Sequence, residues 1–168
     1  MEFYEVIRKR KSVRRYGKRP VEEEKVRRVL EAARLAPSAA NRQPWRFFVV
    51  NTEKIKEEFP DEYNRNWFWH APLVICACGL PGQAWKRPDG KSYLDVDVAI
   101  AMEHLVLAAT AEGLGTCWIG AFNPSVIKKI LALPDELEPI ALTPLGYPAS
   151  SPKPTYRKPF EEVVKIIG

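Results

Sequence analysis

Two histidines, three cysteines and nine glycines are few for a chain of 168 residues, and each shortage removes a class of function. His70 and His104 lack the i, i+4 partners that a zinc-binding helix presents, so a metalloenzyme reading finds no ligand set. Cys76, Cys78 and Cys117 are odd in number, and MEFYEVIRKRK places its charges after a short apolar patch, with no signal-peptide core or cleavage site following. Reduced thiols in a cytoplasmic protein are therefore expected. Cys76 and Cys78 alternate within an apolar stretch, a pattern that belongs more often to packing than to metal ligation. No serine stands in a nucleophile elbow and no Ser/His/Asp order is persuasive, which argues against a hydrolase. The longest apolar stretch, Val96 to Ala111, is interrupted by Asp97, Glu103 and His104, so no membrane span is expected. Glycine is also missing where nucleotide loops need it. Asp89-Gly90-Lys91-Ser92 has Trp85 at the required glycine position, and Gly113-Leu114-Gly115 is followed by Gly120 where a dinucleotide fingerprint needs position 118.

What the chain does carry is positive charge: +5 net, much of it between Arg8 and Arg19. A solvated surface accounts for such a run in the ordinary case. Nucleic acid is not expected as a partner, because aromatics are not interleaved with the cations and no helix-turn-helix, zinc-finger or RNP pattern occurs. A third role, binding one small phosphate, depends on spacing. In extended chain Arg10, Ser12 and Arg14 point the same way, setting two guanidinium forks and a hydroxyl on one face.

Hydrophobic periodicity predicts a short helix over Glu2–Lys9, with Phe3, Val6 and Ile7 on one side, and a clearer one opened by Pro20 and stopped by Pro37. Strands are expected at Trp45–Val50, Pro72–Gly79, Thr116–Gly120 and Glu138–Gly146, the last interrupted by proline. Asn123 should cap a helix with Pro124 at its first position. Leu94–Gly113 is the longest predicted helix and is apolar on almost every face, more than its own protomer is expected to cover, so a homodimer is inferred. Beyond Pro144 the prolines Pro148, Pro152, Pro154 and Pro159 predict an extended arm lying on a surface. The whole chain, 1–168, reads as one domain.

Three further segments bear on chemistry. Pro37-Ser38-Ala39-Ala40-Asn41-Arg42-Gln43-Pro44-Trp45 joins helix to strand. Its small residues admit a planar ligand, and Asn41 and Gln43 can each donate and accept at the edge of a heteroaromatic ring. Gly113-Leu-Gly-Thr-Cys-Trp-Ile-Gly120 offers glycines whose N–H groups can approach a ligand face. Arg157-Lys158 adds cations at the end of the arm. In this order, R-x-S-x-R, P-S-x-x-N-x-Q-P-W and G-L-G-T-C-W-I-G resemble the nitroreductase-like family of FMN-dependent oxidoreductases, over about Ile7 to Val164.

That resemblance implies an α+β, three-layer fold: a central, mostly antiparallel sheet flanked by helices, in a dimer whose C-terminal arm is exchanged between protomers. It implies FMN at the interface, with NADH or NADPH as electron donor and a small organic acceptor such as a nitroaromatic or quinone. Arg10, Lys11, Ser12, Arg14, Arg157 and Lys158 would hold phosphate and ribityl chain. Pro37, Ser38, Ala39, Asn41 and Gln43 of the other subunit would line the flavin, and Asn64 would stand near its pyrimidine edge. Backbone N–H groups around Trp118, Ile119 and Gly120 would approach N5 and O4. No catalytic side chain is required, because the flavin carries the electron chemistry. Many members have a further serine where this chain has Ala39 or Ala40, and larger members insert a helical excursion where Leu80–Tyr93 is short. Trp67, Phe68, Trp69, Trp85 and Trp118 either wall an acceptor site or pack the core and dimer. Dehalogenation, substrate oxidation and a flavin-storing or sensing role remain alternatives.

Overall fold

Four strands form one antiparallel sheet in the order β1-β2-β4-β3: β1 Trp45–Asn51, β2 Leu73–Gly79, β3 Gly115–Thr116 and β4 Glu138–Gly146. The computed structural model describes residues 1–55, 71–150, 152 and 155–168. Asn64 and the Trp67-Phe68-Trp69 run therefore lie outside the described residues. Among the described residues the α-helices are α1 Phe3–Lys9, α2 Glu23–Arg34, α3 Thr52–Ile55, α4 Leu94–Ala111, α5 Pro124–Ile130 and α6 Phe160–Val163. No helix among the described residues is long and apolar enough to cross a membrane.

The continuous apolar run of β2 is explained by cover on both faces. Ile75 and Ala77 pack against Val98, Ala101, Met102 and Leu105 of α4 and Val29 and Ala33 of α2. Val74, Cys76 and Cys78 point the other way, toward Ile127 of α5, Leu133 and Leu142. The cysteine sulfurs sit 3.5 Å apart in this second core, as packing residues.

Three expectations are adjusted. The chain itself buries Leu94, Asp97, Val98, Ala101, Met102, Leu105, Val106 and Ala109 of α4, covering more of that helix than its composition suggested and leaving Val96 exposed. The apolar side of α1, by contrast, is open: Phe3, Tyr4 and Ile7 are exposed and only Val6 is buried. Third, β4 runs unbroken through Pro139 and Pro144. Pro139 falls beside the register shift between Ala77 and Cys78. By the ladder's alternation, Pro144 faces β3 opposite Cys117, where it has no N–H to give. Strand β3 accordingly stops at Thr116, the Cys117 amide donates to the Thr143 hydroxyl at 3.1 Å, and pairing resumes only where Ile119 meets Leu142.

The glycines of the third motif also do something other than free their amides for a ligand. Gly113, at φ +76°, ends α4: its N–H reaches the Thr110 carbonyl, and the next N–H, of Leu114, reaches that of Ala109. At Gly115 an added Cβ would lie 2.8 Å from the Val13 side chain, so glycine is what lets the N-terminal segment lie against the sheet.

A candidate cofactor site divided between two ends of the longest helix

Residues Arg10 to Arg14 leave α1 in extended form and run beside β3. Ser12 bridges Thr116 in parallel, and the Val13 amide donates to the Thr116 carbonyl at 2.8 Å. Val13 is buried under Gly115, which turns its alternates outward. Arg10, Ser12 and Arg14 then all bear on one sulfur. Burial pushes the Cys117 thiol up, while the Arg14 charge, the nearby Ser12 hydroxyl and the Arg10 charge act in the opposite sense. Among the described residues no carboxylate lies within ion-pairing distance of Arg10 or Arg14, unlike Lys9, Arg19 and Arg28, which pair with Glu5, Glu22 and Glu112. Two unneutralised guanidinium groups, a hydroxyl and an un-ionised thiol make a cradle suited to a phosphate dianion.

Lys11 alternates away from this face, and its ammonium reaches the Pro152 carbonyl at 3.4 Å, so the arm starts close by. Arg157 bonds within the arm, to the Thr155 hydroxyl and the Tyr156 carbonyl, and Lys158 pairs with Glu162. Trp118 stands exposed one residue beyond Cys117. The Ile119 amide is engaged by the Leu142 carbonyl, whereas Gly120 is exposed.

The second group of predicted residues lies elsewhere. Ala39–Asn41 is a single 3-10 turn, and Ala40, Asn41 and Gln43 all take the left-handed conformation, with φ of 51°, 52° and 50°. For alanine this costs about 1–2 kcal/mol. The turn is held from inside: Ser38 Oγ accepts from the Gln43 amide at 2.8 Å, and Asp97 Oδ1 accepts from the Ala39 amide at 2.8 Å. Arg42 reaches the Ala84 carbonyl, tying the turn to the 80–93 excursion, where Trp85 packs edge-on against Tyr93 at 4.9 Å. Pro37, Asn41 and Gln43 are exposed; Ser38 and Ala39 are half-buried.

Asp97 belongs to the first turns of α4, and Gly115 follows its last. At about 1.5 Å rise per residue the turn and the cradle stand on the order of 20 Å apart. The sheet gives the same separation. Trp45 shares a row with Gly79 and Glu138 at one end, while Thr116 shares a row with Leu145, Leu73 and Asn51 at the other, on the opposite edge. Within one chain the two groups do not meet.

The segments in question fall inside the match of a family model, Nitroreductase family, to residues 7–63 and 58–147. The chain belongs to the nitroreductase family. A crystal structure of a nitroreductase family protein from Clostridium difficile is 38% identical, covers 98% of each chain and superposes with a TM-score of 0.86. An NADH dehydrogenase of Thermus thermophilus is 32% identical over 93% of this chain and 91% of its own length. An FMN-dependent nitroreductase from a second Clostridium difficile strain is 26% identical, with a TM-score of 0.81 over 97% and 98% of the two chains. This nitroreductase-family chain thus has the fold that its ordered motifs implied.

Two residues that the sequence did not single out prove central to the two groups. Cys117 was visible only as one of three reduced thiols and as part of the glycine motif. Asp97 stood as an interruption of an apolar stretch; a lone acid at a buried helical position was the available signal.

Proposed function

We propose that this oxidoreductase binds FMN, draws electrons from NADH or NADPH and passes them to small organic acceptors such as nitroaromatics or quinones. The observation that carries the reading is the cradle: Arg10, Ser12 and Arg14 converge on one face with no carboxylate partner among the described residues, as a site for an anionic cofactor should. Bound FMN supplies the two-electron chemistry, and this chain's residues bind and orient it. Arg10 and Arg14 hold the phosphate as guanidinium forks, and Ser12 adds a hydroxyl donor. The Ile119 amide is already engaged, so the Trp118 and Gly120 amides are the backbone donors this stretch offers to a flavin edge. Trp118, 43% exposed beside the cradle, gives an aromatic acceptor a face to lie on.

The site is completed by a second copy. Two chains packed with their α4 helices antiparallel bring the 37–43 turn of one to the cradle of the other, where Asn41 and Gln43 meet the polar edge of the ring. Apolar side chains exposed on one chain support this: Phe3, Tyr4 and Ile7 on α1, Val96 on α4, and Tyr156, Phe160, Val163, Ile166 and Ile167 on the arm. The arm is read as reaching across to the second copy. A visible spectrum of the purified protein, repeated anaerobically with NADH and then NADPH, tests the function. Flavin bands that bleach are expected. Protein that takes up no FMN even when it is added would sink the reading.

A further inference from the structure

Among the described residues Asp97 is the only buried carboxylate, at 1% exposure. One oxygen accepts from the Ala39 amide, and the other, Oδ2, has no hydrogen-bond partner among the described residues. A half-satisfied carboxylate inside an apolar helix does not serve stability, since a leucine of similar volume would fill the position without stranding an oxygen. The amide that it does hold opens the turn in which Ala40, Asn41 and Gln43 are left-handed. Such a run of non-glycine residues persists only where its surroundings over-determine it. Ser38 fixes the turn from within, and Asp97 anchors it to the rigid helix that also ends at the cradle.

We propose that Asp97 is a positioning residue for the cofactor: it sets the shape of the 38–43 turn, and through it the placement of Asn41 and Gln43. This rests on the FMN reading above. Its quantity is FMN affinity, measured by fluorescence quenching on the full chain, with the melting temperature of each apo-protein alongside. Asp97→Ala removes the acceptor. Ala39→Pro removes the donor while leaving Asp97 in place, and Ser38, at φ −140° and ψ 159°, already has the extended backbone that a following proline needs. Each is expected to weaken FMN by about tenfold or more, as loss of a hydrogen bond to a charged group does. The double variant should be no worse than either single one, because both changes delete the same contact. Asp97→Asn keeps an acceptor for the Ala39 amide and should stay within about threefold of the parent. The inference is overturned if Asp97→Ala binds FMN as the parent does, if the two losses multiply in the double variant, or if Asp97→Asn binds as poorly as Asp97→Ala. Should Asp97→Ala fail to fold, Ala39→Pro and Asp97→Asn still carry the test. A parent chain that binds no FMN would defeat the functional reading instead.

Discussion

The two ends of α4 are built on opposite principles. At its C-terminal end the cradle is ordinary extended backbone, and its outward-facing groups come from strand alternation and unpaired charge. At its N-terminal end the turn carries three left-handed residues and presents amide side chains, held by a hydroxyl and one buried carboxylate. The first gains from charge and needs no strain. The second gains from shape and must be braced. A site divided in this way can bind an anion tightly at one place and orient a planar ring at the other, without either demand distorting the other's scaffold.

The largest effect is expected where charge does the binding. Arg10→Ala should weaken FMN by about 10–100-fold, the value of a charge-assisted contact, while far-ultraviolet circular dichroism stays that of the parent. Unchanged flavin occupancy would place the phosphate elsewhere. The division itself is tested by mixing. A dimer formed from one Arg10→Ala chain and one Asp97→Ala chain should regain one site of parental affinity, because one cradle and the turn opposite it are then both intact. No intact site would mean that each chain serves its own flavin. The smallest effect concerns pH. Tyr147 donates to Glu22, which also accepts from Arg19, and this latch joins the start of α2 to the end of β4 near the cradle. The Tyr147 hydrogen bond first, then local backbone and the Arg19 contacts, hold the Glu22 carboxyl at about 2 against an ordinary 4.5. A carboxylate depressed in the folded state stabilises above its unfolded value and loses that contribution as pH falls. Stability should therefore decline between pH 4.5 and about 2, and Glu22→Gln should flatten that part of the melting-temperature profile. An identical acid slope in the variant would remove the latch from the account.

How much of this could be read without coordinates follows the same division. The cradle was legible because alternation in an extended segment is fixed geometry: once Arg10 to Arg14 is extended, its partners follow. Strands β1, β2 and β4 and helices α2, α4 and α5 were legible from composition and caps, and Asn123 accepts from the amides of Ser125 and Val126 as its position implied. The turn was legible as a place but not as a shape, since alanine, asparagine and glutamine give no local sign that they will be left-handed. Asp97 was hidden for the complementary reason. Its importance lies in the residue it holds from 58 positions away, which periodicity does not report. Gly113 and Gly115 were legible as necessary but not for what, because a helix stop and a close approach of Val13 look the same in sequence as a ligand-facing amide.

Pro144 has a consequence of a different kind. Antiparallel ladders zip, each pair of bonds aligning the next, and a strand laid beside β4 would in the ordinary course be drawn into register along its whole length. A single missing hydrogen, in the interior of β4, halts that process at Thr116. Cys117 and Trp118 are thereby spared from becoming sheet, and the protein keeps a short stretch of backbone outside the ladder at the place where its chemistry is proposed to occur. Restoring the hydrogen with Pro144→Val would give the sheet one more rung, opposite Cys117.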